Sequence, residues 1–116
     1  MTTDTTIYVI DEITALPGRG RELLDAYRAR YAPGAEARGM TLDRILVSPP
    51  MWLDDDSNTL LITWTLKGAP AWWGMSFQAR NDPAVADWWA EADEMIVSRN
   101  RSFATAEGDI AEITHV

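Results

Sequence analysis

The chain has 116 residues with 10 basic and 18 acidic side chains, a formal net charge of −8. That length is a single domain over residues 1–116, large enough to bury a core without disulfides or a metal staple. The acid surplus argues against nucleic acid and anionic membrane surfaces, and zero cysteines with a single histidine, His115, leave no material for thiolate zinc sites, iron–sulfur clusters or a thiol nucleophile, and little for a serine triad.

The opening residues Met1–Thr6 lack the basic start and apolar run of a signal peptide, and no later apolar run approaches bilayer length, so a cytoplasmic protein is expected. Thr5 to Ala15 is rich in Ile, Val, Tyr and Thr and reads as a strand, ended by Leu16-Pro17-Gly18. From Arg19 the period changes: Leu23, Leu24, Tyr27 and Tyr31 recur at helical steps on one face, where the tyrosines read as packing, with donation of a phenolic proton in a pocket as the alternative. Pro33-Gly34 should interrupt this helix and Gly39 should stop it. Thr41 to Ser48 and Thr59 to Leu66 read as a hairpin around the turn Asp54-Asp55-Asp56-Ser57-Asn58. That turn imitates a calcium loop, but Thr59 stands where glycine is needed and Thr65 where glutamate is needed, so no metal is expected. Gly68-Ala69-Pro70 opens a helical region, and Asp82-Pro83 starts a fresh helix carrying Val85, Trp88, Trp89, Ala92, Met95 and Ile96. Arg80, Arg99 and Arg101 fall in this region and read as solvated, and Asp109 to Thr114 reads as the final strand.

The order β-α-β-β-α-β predicts an α+β, ferredoxin-like antiparallel sheet with two helices on one face. By strand parity, Ile7, Val9, Asp11 and Ile13 share one face of the first strand, and Tyr8, Ile10 and Glu12 the other. Leu60, Ile62, Trp64 and Leu66 oppose Leu61, Thr63 and Thr65, while Ile45 and Val47 oppose Leu42 and Leu46. Neither face is cleanly polar, and two helices cover only one, so a second copy of the chain is expected over the other, as a homodimer.

This order, the length, and the run Tyr8-Val9-Ile10-Asp11-Glu12-Ile13-Thr14-Ala15-Leu16-Pro17-Gly18-Arg19 resemble the dimeric α+β barrel superfamily, in particular its small antibiotic-biosynthesis-monooxygenase-like members. The resemblance implies a ligand cavity between sheet and helices and, among several chemistries, cofactor-independent oxygenation, isomerisation or cyclisation. Branches of the superfamily that use histidine, either as a haem ligand on a helix or on the strands, do not fit a chain whose only histidine is His115.

Six tryptophans are the unusual feature: Trp52, Trp64 and the doublets Trp72-Trp73 and Trp88-Trp89. Aromatic walls with few polar groups suit a flat apolar small molecule, so Trp64, Trp72, Trp73, Trp88 and Trp89, with Tyr8, are candidate pocket residues, Trp64 meeting the first doublet at one end of the sheet. Asp11 and Glu12 interrupt an apolar strand and point to opposite faces, so one of them could serve a cavity as general base. Arg44 could pair with either or hold a substrate oxygen. The expected activity is a cofactor-independent enzyme on a flat apolar compound; the alternatives are an isomerase or cyclase, or a dimer that only binds such a metabolite.

Overall fold

The computed structural model describes residues 5–111. Strand β1 (Thr6–Ala15) turns into a helical arm built of α1 (Gly20–Ala26), a π-helical turn (Tyr27–Tyr31) and α2 (Ala32–Ala37). Strands β2 (Thr41–Ser48) and β3 (Thr59–Lys67) form the hairpin, followed by α3 (Ala69–Arg80) and α4 (Pro83–Ala92). A 3₁₀ turn (Asp93–Met95) delivers the chain to β4 (Ile96–Thr105), and a second such turn covers Glu107–Asp109. The antiparallel sheet has the order β2-β3-β1-β4, the ferredoxin-like α+β arrangement.

The helix boundaries follow from local chemistry. Pro33 cannot donate to the carbonyl of Ala29, and its ring would press on that carbonyl in a regular helix. The helix widens there: the Ala32 N–H bonds back to Tyr27, one residue further than α geometry. At the end of α2, Gly39 takes φ +98°, and the N–H groups of Gly39 and Met40 close on the carbonyls of Glu36 and Ala35. This is the Schellman ending, with Met40 and Ala35 both buried beneath it. Asp82 caps α4 by accepting from the Ala84 N–H at 2.9 Å, with Pro83 in the first turn.

The helices cover one sheet face. Val9, Asp11, Ile13, Leu60, Ile62, Trp64 and Leu66 are buried on it, as parity predicts. Leu42 also packs on this side, with Ile45 and Val47, against expectation. The register between β2 and β3 slips by one residue between Leu42 and Arg44, so a bulge at Asp43 reverses the parity of what precedes it.

The last strand differs most from expectation. Among the described residues it is Ile96–Thr105; of the strand expected over Asp109–Thr114, Asp109 belongs to the 3₁₀ turn Glu107–Asp109, residues 110–111 are helical, and the rest lies outside the described residues. Helix α4 ends at Ala92, and the Leu16 N–H bonds to the Met95 carbonyl at 2.8 Å, which fixes the turn into β4 beside the end of β1. Arg99 and Arg101 therefore stand on a strand, pairing with Ile13 and Asp11. The unbroken polar run Ser98-Arg99-Asn100-Arg101-Ser102 of this edge strand suits a solvated helix face equally well.

A candidate active site between strands β1 and β4 and helix α4

Asp11 is 1% exposed, in the middle of the sheet. Such a carboxylate requires partners. Its neighbour across the register, Arg101, donates Nε to Oδ1 at 2.6 Å and Nη2 to Oδ2 at 2.8 Å. The Tyr27 hydroxyl, brought over the sheet by the π-helical turn, donates to Oδ2 at 2.9 Å. Trp64 Nε1 in turn donates to the Tyr27 oxygen at 2.7 Å, and Arg101 Nη2 reaches the Tyr31 oxygen at 2.8 Å. Three strands and one widened helical turn thus converge on one polar network inside an aromatic core.

The aromatic shell is continuous. Tyr31 lies 6.2 Å from Trp64, 6.4 Å from Trp88 and 5.6 Å from Trp89, ring centre to ring centre. Arginines close over it: Arg101 and Arg38 over Tyr31, Arg30 over Trp88, and Arg99 over Trp89 at 4.4 Å. Arg30 also pairs with Glu91, and Arg99 with Asp93. Beside this network Asp11, Ile13, Trp89, Arg99, Asn100 and Arg101 line a cavity of about 70 Å³.

Electrostatics sort the donors. Burial, and next the charge of Asp11, push the Tyr27 phenol far above its ordinary value of 10.0; the Trp64 hydrogen bond opposes this and loses. Tyr27 is therefore a fixed donor. Burial alone would lower the Arg101 pKa, but the hydrogen bonds and charge of Asp11, with help from Tyr31, raise it above its ordinary value, so Arg101 stays cationic. On the rim, the hydrogen bond from Arg99 holds Asp93 below its ordinary value.

The other candidate residues separate around this centre. Glu12 and Tyr8 lie on the sheet face away from the helices, with Arg44, which is exposed and meets its neighbour Asp43. Trp64 belongs to the network and Trp88 and Trp89 to the rings around it, but Trp72 packs on Trp73 and Phe103, and Trp73 is 60% exposed. Trp64 points into the centre of the inner face towards the tyrosines, whereas α3 leaves the sheet beyond Lys67 and lies towards the far end of β4. Trp52, in the loop after β2, is exposed. Sequence reasoning missed Arg101 and set packing above a phenolic donor role for Tyr27 and Tyr31, whose hydroxyls here meet Asp11 and Arg101. The available signal was the carboxylate Asp11 on the core face of β1, which had to have a cation opposite it.

Among the described residues no group of three or more His, Cys, Asp or Glu side chains could hold a metal, and no helix is long and apolar enough to cross a membrane.

No protein-family model and no curated protein matches the sequence. Solved structures do match the fold. A NIPSNAP family protein of unknown function from Agrobacterium tumefaciens superposes with a TM-score of 0.68 at 10% identity, covering 89% of each chain. A candidate antibiotic biosynthesis monooxygenase from Nitrosomonas europaea gives 0.63 at 9% identity, over 92% of this chain and 95% of that one. Another from Caulobacter crescentus gives 0.63 at 9%, over 90% and 92%. The chain shares their ferredoxin-like α+β fold, and at these identities the likeness reaches no further than fold.

Proposed function

We propose that this chain is a cofactor-independent enzyme of monooxygenase type, acting on a flat, largely apolar small molecule at the Asp11 cavity. The observation that carries the reading is the buried Asp11–Arg101 pair, set in aromatic walls and lining a cavity rather than sealed in the core. Burying a charge pair is a poor way to stabilise a fold, so its position beside a cavity favours a chemical use. The solved neighbours of monooxygenase description support the same class.

The chemistry is oxidation of an activated CH₂ to a carbonyl. Asp11 accepts a proton from the substrate carbon, and Arg101 stabilises the negative charge that develops on the conjugated oxygen. The carbanion adds dioxygen to give a hydroperoxide. Loss of the second C–H proton with cleavage of the O–O bond leaves a C=O group and one water. Tyr27 and Trp64 position Asp11 and do not touch the substrate. Glu12 has no part in this cavity, nor has Arg44.

A homodimer belongs to the same proposal. Tyr8, Ile10, Leu46 and Leu61 stand on the sheet face that no helix among the described residues covers, and the described part measures only 18 Å along its thinnest axis. A second copy packed on this face would complete a barrel, and a cytoplasmic setting accords with a chain free of cysteine.

A binding protein without turnover is the second reading. It is favoured by the size of the cavity, about 70 Å³, well below that of an ordinary ligand pocket, so a guest reaches Asp11 with only part of its frame. Oxygen uptake separates the two. With anthrone as probe, the enzyme reading expects one dioxygen consumed per anthraquinone formed, faster than in buffer. Tryptophan quenching without oxygen uptake across a panel of enolisable aromatics would leave a binder, and no response in either measurement would remove the site.

A further inference from the structure

The lining of the cavity at Asp11 holds more cations than anions: two guanidiniums, Arg99 and Arg101, and one carboxylate, Asp11. Arg101 gives Nε and Nη2 to Asp11, and Nη2 also to Tyr31, so its charge is matched by that carboxylate. Arg99 has no such buried partner. Its Nε and Nη2 meet Oδ1 and Oδ2 of Asp93 at 2.8 and 3.3 Å, and the two side chains are 41% and 49% exposed. Asp93 sits on the turn between α4 and β4 and is not part of the cavity lining.

Building on the site proposed above, we infer that the ligand is an acid: a flat molecule whose carboxylate is received by Arg99 at the face of Trp89. The Asp93 carboxylate stands in for that group and displays the two-point geometry it would take. An ion pair as exposed as Arg99–Asp93 contributes little, so exchanging one carboxylate for another costs little. The guanidinium lies 4.4 Å from the Trp89 ring centre, so an aromatic frame resting along this wall has the cation at its edge. A chain of net charge −8 does not draw anions from a distance, so this preference is local and set by one side chain. Arg99 is then a specificity-determining residue, and Asp93 an internal competitor for it.

The test uses two probes of one ring system, 2-naphthoate and the neutral 2-naphthamide, titrated calorimetrically into the full chain at pH 7. Wild type should bind the acid about tenfold more tightly than the amide, or better. Arg99→Gln should weaken the acid and bring the two affinities within about twofold of each other. Asp93→Asn should tighten the acid and not the amide, a direction that a merely structural ion pair would not produce. Equal affinities in wild type, a preference that survives Arg99→Gln, or weaker acid binding in Asp93→Asn overturns the inference while the site stands. If neither probe binds wild type, the site itself falls and the inference with it.

Discussion

The same dipeptide, Trp-Trp, occurs on two helices with opposite outcomes. Trp88 on α4 is buried against Tyr27, Tyr31 and Trp89, and arginines lie over the rings of both Trp88 and Trp89. On α3, Trp72 and Trp73 lean on each other 4.4 Å apart, with Phe103 beside Trp72, while Trp73 and Phe77 face solvent. What separates them is the surface each helix meets. Helix α4 lies over the widened turn that carries two tyrosines and over the arginines of β4. Helix α3 sends Met75 into the core and rests Trp72 on it beside Phe103, with no charged network among the described residues under the doublet. Aromatic content alone does not make a site; a buried polar group for the rings to enclose does.

Truncation breaks this contrast most directly. Trp88→Ala should cost about 3–5 kcal/mol through lost packing, and Trp73→Ala no more than about 0.5 kcal/mol. Urea midpoints of the two variants check it, and similar losses would make the doublets equivalent.

The polar centre should show a comparable dependence with a distinct signature. Asp11→Ala strands Arg101 in the core and should cost about 3–5 kcal/mol. Removing both charges, as Asp11→Leu with Arg101→Met, should cost clearly less than the sum of the single changes, because neither charge is then left alone. A double-mutant cycle in urea reads this coupling, and additive losses would mean that the pair is not the organising contact.

Tyr27→Phe should have a smaller effect, about 1–3 kcal/mol, since it leaves Trp64 Nε1 without its acceptor and removes one hydrogen bond from Asp11. It also carries a pH signature. The folded pKa of Tyr27 is raised, so the unfolded chain loses this proton first as pH rises past the ordinary value of 10.0. The stability linked to Tyr27 is fully present below pH 10 and declines above it, with a slope of about 1.4 kcal/mol per pH unit for one proton. Alkaline unfolding curves of wild type and Tyr27→Phe should converge above that pH, and parallel curves would deny Tyr27 its buried protonated state.

A smaller and purely structural effect is expected where the loop after β2 rests on α1. Asn58 donates to the Met51 carbonyl at 2.8 Å and accepts from the Leu53 N–H at 3.0 Å, and a Cβ on Gly20 would stand 2.8 Å from its Cβ. Asn58→Ala should cost about 1–2 kcal/mol in thermal unfolding without altering ligand binding at Asp11, the two places being separate. A loss of binding would show that the loop belongs to the site.

Much of this was legible in the chain. Parity placed Asp11 on the face of Val9 and Ile13 and Glu12 on the other, and the signals at Gly39 and Asp82-Pro83 marked helix ends that the structure contains. The ferredoxin-like order followed from the element count. The last strand did not, because Ile96 continues the helical spacing of α4 and the serines and arginines after it suit a solvated helix equally well. Its Arg101 has meaning only against Asp11, 90 residues earlier, and no local pattern spans that distance. The bulge before Arg44 and the widened turn at Tyr27–Tyr31 were hidden for a related reason: each adds one residue to a period, which local spacing absorbs.

The adjacent carboxylates Asp11 and Glu12 offer the most direct test of whether the chemistry sits at the β1–β4 cavity. Oxygen uptake with anthrone should be measured for wild type, Asp11→Asn and Glu12→Gln, with near-ultraviolet circular dichroism confirming that each is folded. The prediction is a loss of about a hundredfold or more in kcat for Asp11→Asn with ligand binding retained, and an unchanged rate for Glu12→Gln. Loss of turnover in Glu12→Gln with Asp11→Asn unaffected would place the chemistry on the opposite face of the sheet.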